Sequence, residues 1–493
     1  RWWPDLNQTA SANPGAIHLD ELRSHQDQPQ PWGDDEDPFS LPRMIGTGDG
    51  RFIPVSKKAD HLIADVARRK MNGDAMLESR FTAKDFREMV RRAFGPALNK
   101  IDLERDVDQN ATLVLNDVED ALAREVECIS EKGQREYAFG CTLFSYDDIA
   151  PFDIGPVRFE PRQVWLGRKA SDGRWVRVGP DGRLKRFTRR VAEGPVSKVA
   201  WRRIIQTWQG HKLKKRKPSA DSRCEQHVIE AIASCPYVCS VGVPGFGGEA
   251  GQEKAVISAR LALATVALLW ETPSTALTGF NLRAGRELRN HEVLSFTADG
   301  LVLGGGCGSS KPYAPWVRRD ELEENLRRYA ESFAVAGEAI NSFLDPTEGS
   351  ARPKLMNAVA HALLWFYEGC RETVAQIAIV KLSAAMEVLT GRLSRNGSSQ
   401  EAIRKLIKAS LGIDDDKVIT RDGMTMKELV EWIYKNGRIR MIHGENEALG
   451  HDWSICRAAA EKLARDCIVH YMIRVAENPL IDDPKRLLQH ASR

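Results

Sequence analysis

Apolar residues recur at the three- and four-residue spacing of a helix along most of this chain. FTAKDFREMVRRAFGPAL fits one amphipathic helix, with Thr82 as its N-cap, and residues 111–129 fit a second. The longest apolar run, residues 255–270, contains Arg260 and is too short to cross a bilayer. We therefore expect it to form a buried helix in a protein that has no membrane partner.

Residues 317–493 predict an almost entirely helical region. Short polar connections separate its amphipathic stretches, which is typical of an antiparallel helix bundle. Capping boxes, a glycine stop and a final Asn-Pro pair mark the helix ends. These signals are Ser398 with Glu401, Thr425 with Glu428, Gly412, and Asn478 with Pro479.

Strand patterns are concentrated between residues 137 and 190. EYAFGCTLFSY, VRFEPRQVWLGRK and GRWVRVGPDGRLKRF all predict strands, and the Pro-Asp-Gly turn at 180–182 favours a hairpin in the last. Residues 294–306 predict another hairpin. The β structure is therefore expected in the first two thirds of the chain.

These patterns together predict an α+β multidomain protein, in which N-terminal and middle regions of mixed α/β structure precede a C-terminal all-α bundle. The predicted parts are a polar acidic tail at 1–50, an N-terminal α+β domain at 51–218, a middle α/β region at 219–316 and a helical region at 317–493.

Composition narrows the class of protein. Hydrophobic residues make up 42% and charged residues 28% of the 493 residues, as in soluble globular proteins, and the net charge of +3 indicates no particular partner. The nine cysteines include no Cys-x-x-Cys pair, so neither a zinc ribbon nor a thioredoxin-type site is predicted. An odd cysteine count in a long chain favours the reducing cytoplasm. No motif predicts a metal or a cofactor.

Positive charge is concentrated in residues 183–217, which hold thirteen Lys or Arg and one acid, Glu193. Trp201 and Trp208 lie just before its densest part, HKLKKRKP. Basic residues beside aromatics can bind a nucleic-acid backbone and stack on bases, whereas a solvated loop is the simpler explanation. The candidate RNA contacts are Lys212, Lys214, Lys215, Arg216 and Lys217.

A glycine-rich stretch, SVGVPGFGGEAGQEKAV at 240–256, lies between an apolar run and a predicted helix. A phosphate-binding loop ends in Gly-Lys-Ser/Thr, but here Lys254 lies three residues after Gly251 and precedes Ala255. The pattern therefore favours a structural strand-to-helix loop, and nucleotide binding is the weaker alternative.

Candidate chemistry lies in GRIRMIHGEN, where Arg438 precedes His443 by five residues. Histidine can take the proton from a ribose 2′-hydroxyl near neutral pH, and arginine can stabilise charge on the adjacent phosphate. On a uniform α-helix the two side chains would point about 140° apart. Either the helix breaks near Gly437, or two copies of the pair act together. The alternative is structural, because basic residues and a glycine also suit a helix C-terminus.

Arg465 and His470 share this spacing and form a fallback pair. His470 lies within a long predicted helix, where we expect it to be packed or partly buried. His443 lies where a helix is expected to end, beside Gly444 and a polar loop, which suits a substrate better.

The helix order here resembles the HEPN superfamily, and most of all its Apea-like branch. An apolar helix with Glu387 precedes a linking helix and WIYKNGRIRMIHG, in which Arg438, His443 and Gly444 match the family's Arg–His motif, with Tyr434 upstream. The resemblance covers about residues 350–480.

One position departs from the family pattern. Family members commonly have a polar residue directly after the arginine, but this chain has Ile439. The fallback pair has Asp466 at the equivalent place. The fallback pair therefore stays open as the site, and HEPN domains without activity also exist.

The resemblance implies a metal-independent endoribonuclease of toxin or effector type, active in antiviral defence, abortive infection or a toxin system. Its bundles dimerise, so two Arg/His motifs are expected to form one composite site. Partners implied are RNA, a second copy of the chain, and a protein trigger, antitoxin or CRISPR-associated component. The alternative is an inactive HEPN-like module for RNA binding or dimerisation. Arg438 and His443 are the candidate catalytic pair, with Glu387, Tyr434 and Arg440 in support.

Overall fold

The computed structural model describes most of the chain from residue 43 onward. The described residues are 43–47, 51–55, 57–102, 104–132, 135–172, 176–178, 184–186, 197–284, 294–296, 298–299, 302–305, 315–346, 349–391, 399–419, 423–443, 450 and 452–489.

The strands are short, and the longest has eight residues. They are β1 (Arg43–Gly46), β2 (Phe52–Val55), β3 (Arg135–Thr142), β4 (Phe152–Ile154), β5 (Val157–Pro161), β6 (Val176–Val178), β7 (Leu184–Arg186), β8 (Tyr237–Val243), β9 (Asn281–Leu282), β10 (Leu294–Phe296) and β11 (Val302–Gly305).

Helices account for most of the described residues. The first nine are α1 (Lys57–Met71), α2 (Ala75–Arg80), α3 (Ala83–Leu98), α4 (Val107–Lys132), α5 (Arg162–Asp172), α6 (Lys198–Trp208), α7 (Ala220–Ile232), α8 (Gly248–Ala267) and α9 (Pro273–Gly279). The C-terminal ones are α10 (Arg319–Arg328), α11 (Ala330–Leu344), α12 (Pro353–Cys370), α13 (Ala375–Leu389), α14 (Ser399–Leu411), α15 (Met426–Glu431), a π-helix (Trp432–Ile439), α16 (Arg440–His443), α17 (Ser454–Glu477) and α18 (Pro484–Gln489).

The chain divides into two compact units. The first comprises the described residues within 1–135, 175–189 and 243–253, and the second those within 136–174, 190–242 and 254–493. The first unit has a helical core, in which α3 packs against α1 and α4. The two-stranded sheets β1–β2 and β6–β7 are antiparallel hairpins.

The second unit contains a five-stranded sheet with the order β4-β5-β8-β3-β9. β5 is antiparallel to both β4 and β8, and β3 is antiparallel to β9. Helices α5, α6 and α7 supply a core cluster that includes Trp165, Ile204 and Ile232. The sheet therefore joins strands from both sides of residue 218, while the domain boundaries remain a prediction.

The C-terminal helices pack around α13. It lies against α12, α17 and the π-helix, and α12 also packs against α11. Its buried residues include Ala378, Leu382, Ala385 and Leu389, which the helical spacing predicts. The α+β class and the helical C-terminal region are therefore confirmed.

Several local predictions are confirmed. The Thr82 hydroxyl accepts a hydrogen bond from the Asp85 N–H and caps α3. Thr425 and Glu428 form the predicted capping box. Gly412 follows α14 with a φ of +66°. The predicted hairpins correspond to β6–β7 and β10–β11, although the turn at 180–182 lies outside the described residues, as do Ser398 and residues 1–42.

One local prediction was wrong in part. The stretch VRFEPRQVWLGRK is a strand only up to Pro161 and continues as α5. Residues 43–46, at the end of the predicted tail, form a strand, and the bounds of that tail remain a prediction.

Within the described ranges, no helix is both long enough and apolar enough to cross a membrane.

Candidate active site

A π-helix forms the segment that carries Arg438. It spans Trp432–Ile439, directly follows α15 and leads into α16 without a break at Gly437. In a π-helix the backbone hydrogen bonds join residues five apart, and such segments are rare and frequent at functional sites. The uniform α-helix that predicts an angle of about 140° between Arg438 and His443 is therefore not the structure present here.

Gly437 lets this π-helix approach α13 closely. The glycine is buried, and a Cβ placed on it would lie 2.7 Å from Cγ2 of Ile379. Real Cβ atoms essentially never make so short a contact. The absence of a side chain at Gly437 thus sets the distance between the backbone next to Arg438 and the helix that carries Glu387.

Arg438, Glu387 and Tyr434 form one connected cluster. Nη2 of Arg438 lies 2.7 Å from Oε2 of Glu387, and Nη1 donates to the Tyr434 hydroxyl. That hydroxyl donates to Oε1 of Glu387 at 3.3 Å. The guanidinium carbon also lies 4.8 Å from the centroid of the Tyr434 ring. The structure therefore brings together three of the five residues predicted for this site.

The cluster is partly buried. The side chains of Arg438 and Glu387 are 21% and 26% exposed, so solvent and small ligands can reach them. Burial raises the pKa of the Tyr434 hydroxyl. A hydrogen bond with Ser399 and the charge of Arg438 act to lower this pKa, but the effect of burial is larger. Tyr434 is therefore protonated at neutral pH and can donate to Glu387.

Arg438 keeps hydrogen-bonding capacity beyond these two contacts. A guanidinium carries two N–H donors on each terminal nitrogen, so Nη1 and Nη2 of Arg438 each keep a second donor beyond their contacts with Tyr434 and Glu387. Its Nε is buried away from solvent. A fixed, permanently charged group with spare donors and partial exposure is suited to bind a phosphate oxygen.

His443 is the last residue of α16. Its side chain lies outside the described residues, as do the side chain of Arg440 and residues 444–449. The structure consequently places the backbone of the candidate histidine one short helix after Arg438, and the geometry of the pair itself remains a prediction.

The fallback pair lies on a regular α-helix. Arg465 donates to the carbonyl of Leu268 at 3.1 Å and pairs with Asp466 at 2.7 Å. His470 is exposed, so the expectation that it is packed or partly buried was wrong. Five residues of α17 separate the two side chains by about 140° around the axis. No shared face is available to them within one chain.

The basic loop divides into anchoring and exposed residues. Lys212, Lys214, Lys215 and Lys217 are exposed. Arg216 instead pairs with Asp221 at 2.8 Å and with Glu225 at 2.9 Å. Its hydrogen bonds with Glu225 and Asp221 raise the pKa of the Arg216 guanidinium. Arg216 is thus engaged within the protein, and its role as an RNA contact stays a prediction.

The glycine-rich loop is a structural connection, as predicted. It joins β8 to α8, and the carboxylate of Asp85 accepts hydrogen bonds from the N–H groups of Glu249 and Ala250 at 2.9 to 3.0 Å. The N-terminus of α8, where a phosphate would bind, therefore already holds an anionic side chain. Sequence reasoning missed Asp85, which lies 164 residues before Glu249.

Comparisons with known proteins assign no family. No protein-family model, no curated protein and no solved structure matches this chain. Across the described ranges, no group of three or more His, Cys, Asp or Glu side chains is placed to hold a metal ion.

Proposed function

We propose that this chain is an endoribonuclease of the HEPN type. One observation carries the proposal: Arg438 is held by Glu387 and Tyr434 on a π-helix of the C-terminal helical region. These residues were selected from the sequence by their resemblance to that superfamily, and they lie in contact. The apolar helix with its acidic residue and the helix with the arginine are packed together, as the proposal requires.

The proposed reaction is cleavage of RNA by its own 2′-hydroxyl. His443 removes the proton from this hydroxyl, and the oxygen then attacks the adjacent phosphorus. The new bond joins O2′ to phosphorus, and the bond from phosphorus to O5′ breaks. The leaving 5′-oxygen takes a proton from a second histidine, so the products are a 2′,3′-cyclic phosphate and a 5′-hydroxyl. The two histidines end with their protons exchanged and no metal takes part.

Arg438 acts on the phosphate in this scheme. Its charge is permanent, and it stabilises the negative charge that develops on the non-bridging oxygens. Glu387 and Tyr434 position the guanidinium, because each holds one of its terminal nitrogens. The second histidine comes from a second copy of the chain, in a composite site across a dimer axis. The remaining parts of the chain respond to a trigger in antiviral defence or a toxin system.

A second candidate is an inactive HEPN-like module that binds RNA or mediates dimerisation. The observation in its favour is that Arg438 already has a carboxylate partner at 2.7 Å, so a phosphate must compete with Glu387 for it. Ile439, in place of the usual polar residue, points the same way. Both features are compatible with a cluster that only stabilises the bundle.

The deciding experiment compares single histidine variants of the full chain. Labelled single-stranded RNA is incubated with purified protein in EDTA, using wild type, His443→Ala and, as the matched control, His470→Ala. The proposal predicts cleavage by wild type and His470→Ala and loss of at least about a hundredfold in His443→Ala. The same sequence as DNA, which lacks the 2′-hydroxyl, must stay intact.

The other outcomes separate the two candidates. Equal cleavage by all three proteins removes His443 from the mechanism. Loss only in His470→Ala transfers the site to Arg465 and His470. A further preparation is mixed with RNA from infected cells to supply a trigger. If every preparation binds RNA and none cleaves it, the result favours the inactive module.

A further inference from the structure

Helix α6 and the loop after it form one surface, in which the arginines Arg203 and Arg216 pair with acids of the protein and the loop lysines are exposed. Arg203 of α6 donates to the carbonyl of Lys214 at 2.8 Å and pairs with Glu225 at 2.8 Å. Arg216 of the loop pairs with the same Glu225 and with Asp221. These contacts hold the loop alongside α6. Two acids and two arginines are thereby used within the protein.

The lysines of the loop stay uncompensated. Lys212, Lys214, Lys215 and Lys217 are exposed, and no acidic side chain of the described residues pairs with them. Residues 197–218 contain no Asp or Glu, and the nearest acids in α7, Asp221 and Glu225, are already bound by arginines. The loop therefore presents a fixed positive surface rather than a freely moving chain of charges.

One face of α6 continues this surface. Lys198 lies three residues before Trp201 and four before Arg202, so it shares a helix face with each of them, and all three are exposed. Trp201, which is 40% exposed, lies between the two cations in the sequence. Ala200 and Ile204, on the opposite face, are buried in the core. An exposed indole on a helix that also presents cations is an available stacking partner.

The second tryptophan of α6 has a different role. The guanidinium carbon of Arg162 lies 5.1 Å from the ring centroid of Trp208, and Arg162 also donates to the Trp208 carbonyl at 3.3 Å. Nε1 of Trp208 is buried. Trp208 therefore packs against the protein, and of the two tryptophans only Trp201 is presented to a ligand.

We propose that α6 and the loop at 211–217, which we term the basic surface, bind single-stranded RNA, with lysines on its phosphates and Trp201 stacked on a base. Cations along a backbone with an aromatic platform are the usual means of binding single strands. The choice of RNA rests on the proposed function. An acidic protein would satisfy the lysines but gain little from the solvent-exposed aromatic ring of Trp201.

The test uses a probe that the proposed nuclease cannot cut. A fluorescent single-stranded oligonucleotide of 2′-O-methyl RNA lacks the attacking hydroxyl, so binding to the full chain is measured separately from cleavage. If the protein binds the probe but does not cleave ordinary RNA, only the proposed function is contradicted. If the protein cleaves RNA but changes in the basic surface do not weaken binding, only this inference is contradicted.

Three variants and two matched controls are compared by fluorescence anisotropy over a salt series. Changing Lys212, Lys214, Lys215 and Lys217 to Ala should weaken binding about tenfold or more and reduce the log–log salt slope by about 3, at roughly 0.7 for each phosphate contact. The control changes four exposed lysines that have no ion pair among the described residues, Lys354, Lys417, Lys427 and Lys462, and alters the net charge equally.

Trp201→Ala should weaken binding about fivefold to hundredfold, the equivalent of one lost stacking contact. Trp201→Phe should restore most of it. Trp365→Ala is the matched control, because Trp365 is 42% exposed on α12. All variants keep Arg203, Arg216, Asp221 and Glu225, so unchanged thermal unfolding should verify that the surface itself is intact.

Three results would overturn the inference. Equal weakening in both lysine sets would mean that only total charge matters. Binding that survives Trp201→Ala would exclude single-strand stacking. Binding of anionic phosphatidylglycerol vesicles, lost with the loop lysines while the RNA probe stays unbound, would assign the surface to a membrane.

Discussion

Arg438 and Glu387, 51 positions apart in the sequence, meet at 2.7 Å between Nη2 and Oε2. Because both side chains are partly exposed, the pair contributes at most about 1 kcal/mol to stability. The pair matters more because Glu387 fixes the orientation of the Arg438 guanidinium. A change at Glu387 should therefore affect phosphate chemistry more than folding.

We predict that Glu387→Ala lowers RNA cleavage about tenfold, because Arg438 loses the carboxylate that positions it, while the free energy of unfolding changes by less than about 1 kcal/mol. Cleavage rates over a range of RNA concentrations separate kcat from KM, and denaturant unfolding reports stability. Glu387→Gln, which keeps a hydrogen-bond acceptor, should recover part of the rate. Glu431→Gln, on the neighbouring helix and paired with Lys435, is the control. If Glu387→Ala cuts RNA faster than wild type, Glu387 restrains Arg438 instead.

The close approach at Gly437 leads to a stability prediction. Gly437→Ala should destabilise the protein by about 1–3 kcal/mol, because its Cβ would lie 2.7 Å from Cγ2 of Ile379. Removal of that atom in Ile379→Ala should reduce the cost of the second change, and a double-mutant cycle in denaturant measures this coupling. Gly73→Ala is the control, since an added Cβ there meets nothing within 4 Å. Additive effects at 437 and 379 would contradict the contact.

Glu338 gives a prediction for pH. Its carboxylate accepts hydrogen bonds from the Ser350 hydroxyl at 2.6 Å and from Nε of Arg352 at 3.2 Å. Burial acts to raise the pKa of Glu338, but the hydrogen bonds from Arg352 and Ser350 and the charge of Arg352 outweigh it and lower the pKa.

A carboxylate with a lowered folded pKa stabilises the fold above its unfolded pKa, about 4.3, and loses this contribution as pH falls through the folded value. Between about pH 5 and pH 3, the free energy of unfolding should fall more steeply for wild type than for Glu338→Gln. Glu324→Gln, in an exposed pair with Arg327, should follow wild type. Parallel curves for Glu338→Gln and wild type would exclude a contribution from this pair.

Asp85 gives a prediction for the glycine-rich loop. Asp85→Ala should cost about 1–2 kcal/mol, since the first N–H groups of α8 lose their acceptor. Asp117→Ala, which breaks an exposed pair with Lys100, should cost less than about 1 kcal/mol. Nucleoside triphosphate at millimolar concentration should leave the Tm of wild type unchanged. A clear rise in Tm would revive nucleotide binding at this loop.

Locally determined features are well predicted by the sequence. Thr82, and Thr425 with Glu428, cap helices through contacts three residues away, as their sequence patterns predict. These signals need no knowledge of the rest of the fold. The association of Glu387 with Arg438 was predicted only from the resemblance to the helix order of the HEPN superfamily, and not from any local pattern.

Features set by tertiary contacts were missed. The sequence pattern assigns Trp165 and Leu166 to a strand, but both lie on α5. Their side chains are buried in a core that they share with residues of α6 and α7. The close approach of Gly437 to Ile379 and the pairing of Arg216 with Glu225 both join residues of different elements. Periodicity within one segment carries no information about such partners.

The π-helix separates two quantities that motif searches treat as one, the number of intervening residues and the angle around the axis. The chain contains the same arginine-to-histidine interval twice, once beginning in π winding at Arg438 and once wholly within the α-helix α17 at Arg465. The same interval of five residues therefore corresponds to two different angles around the helix axis in one molecule. A motif defined only by residue spacing cannot tell the two arginine–histidine pairs apart, whereas the type of helix at each pair does.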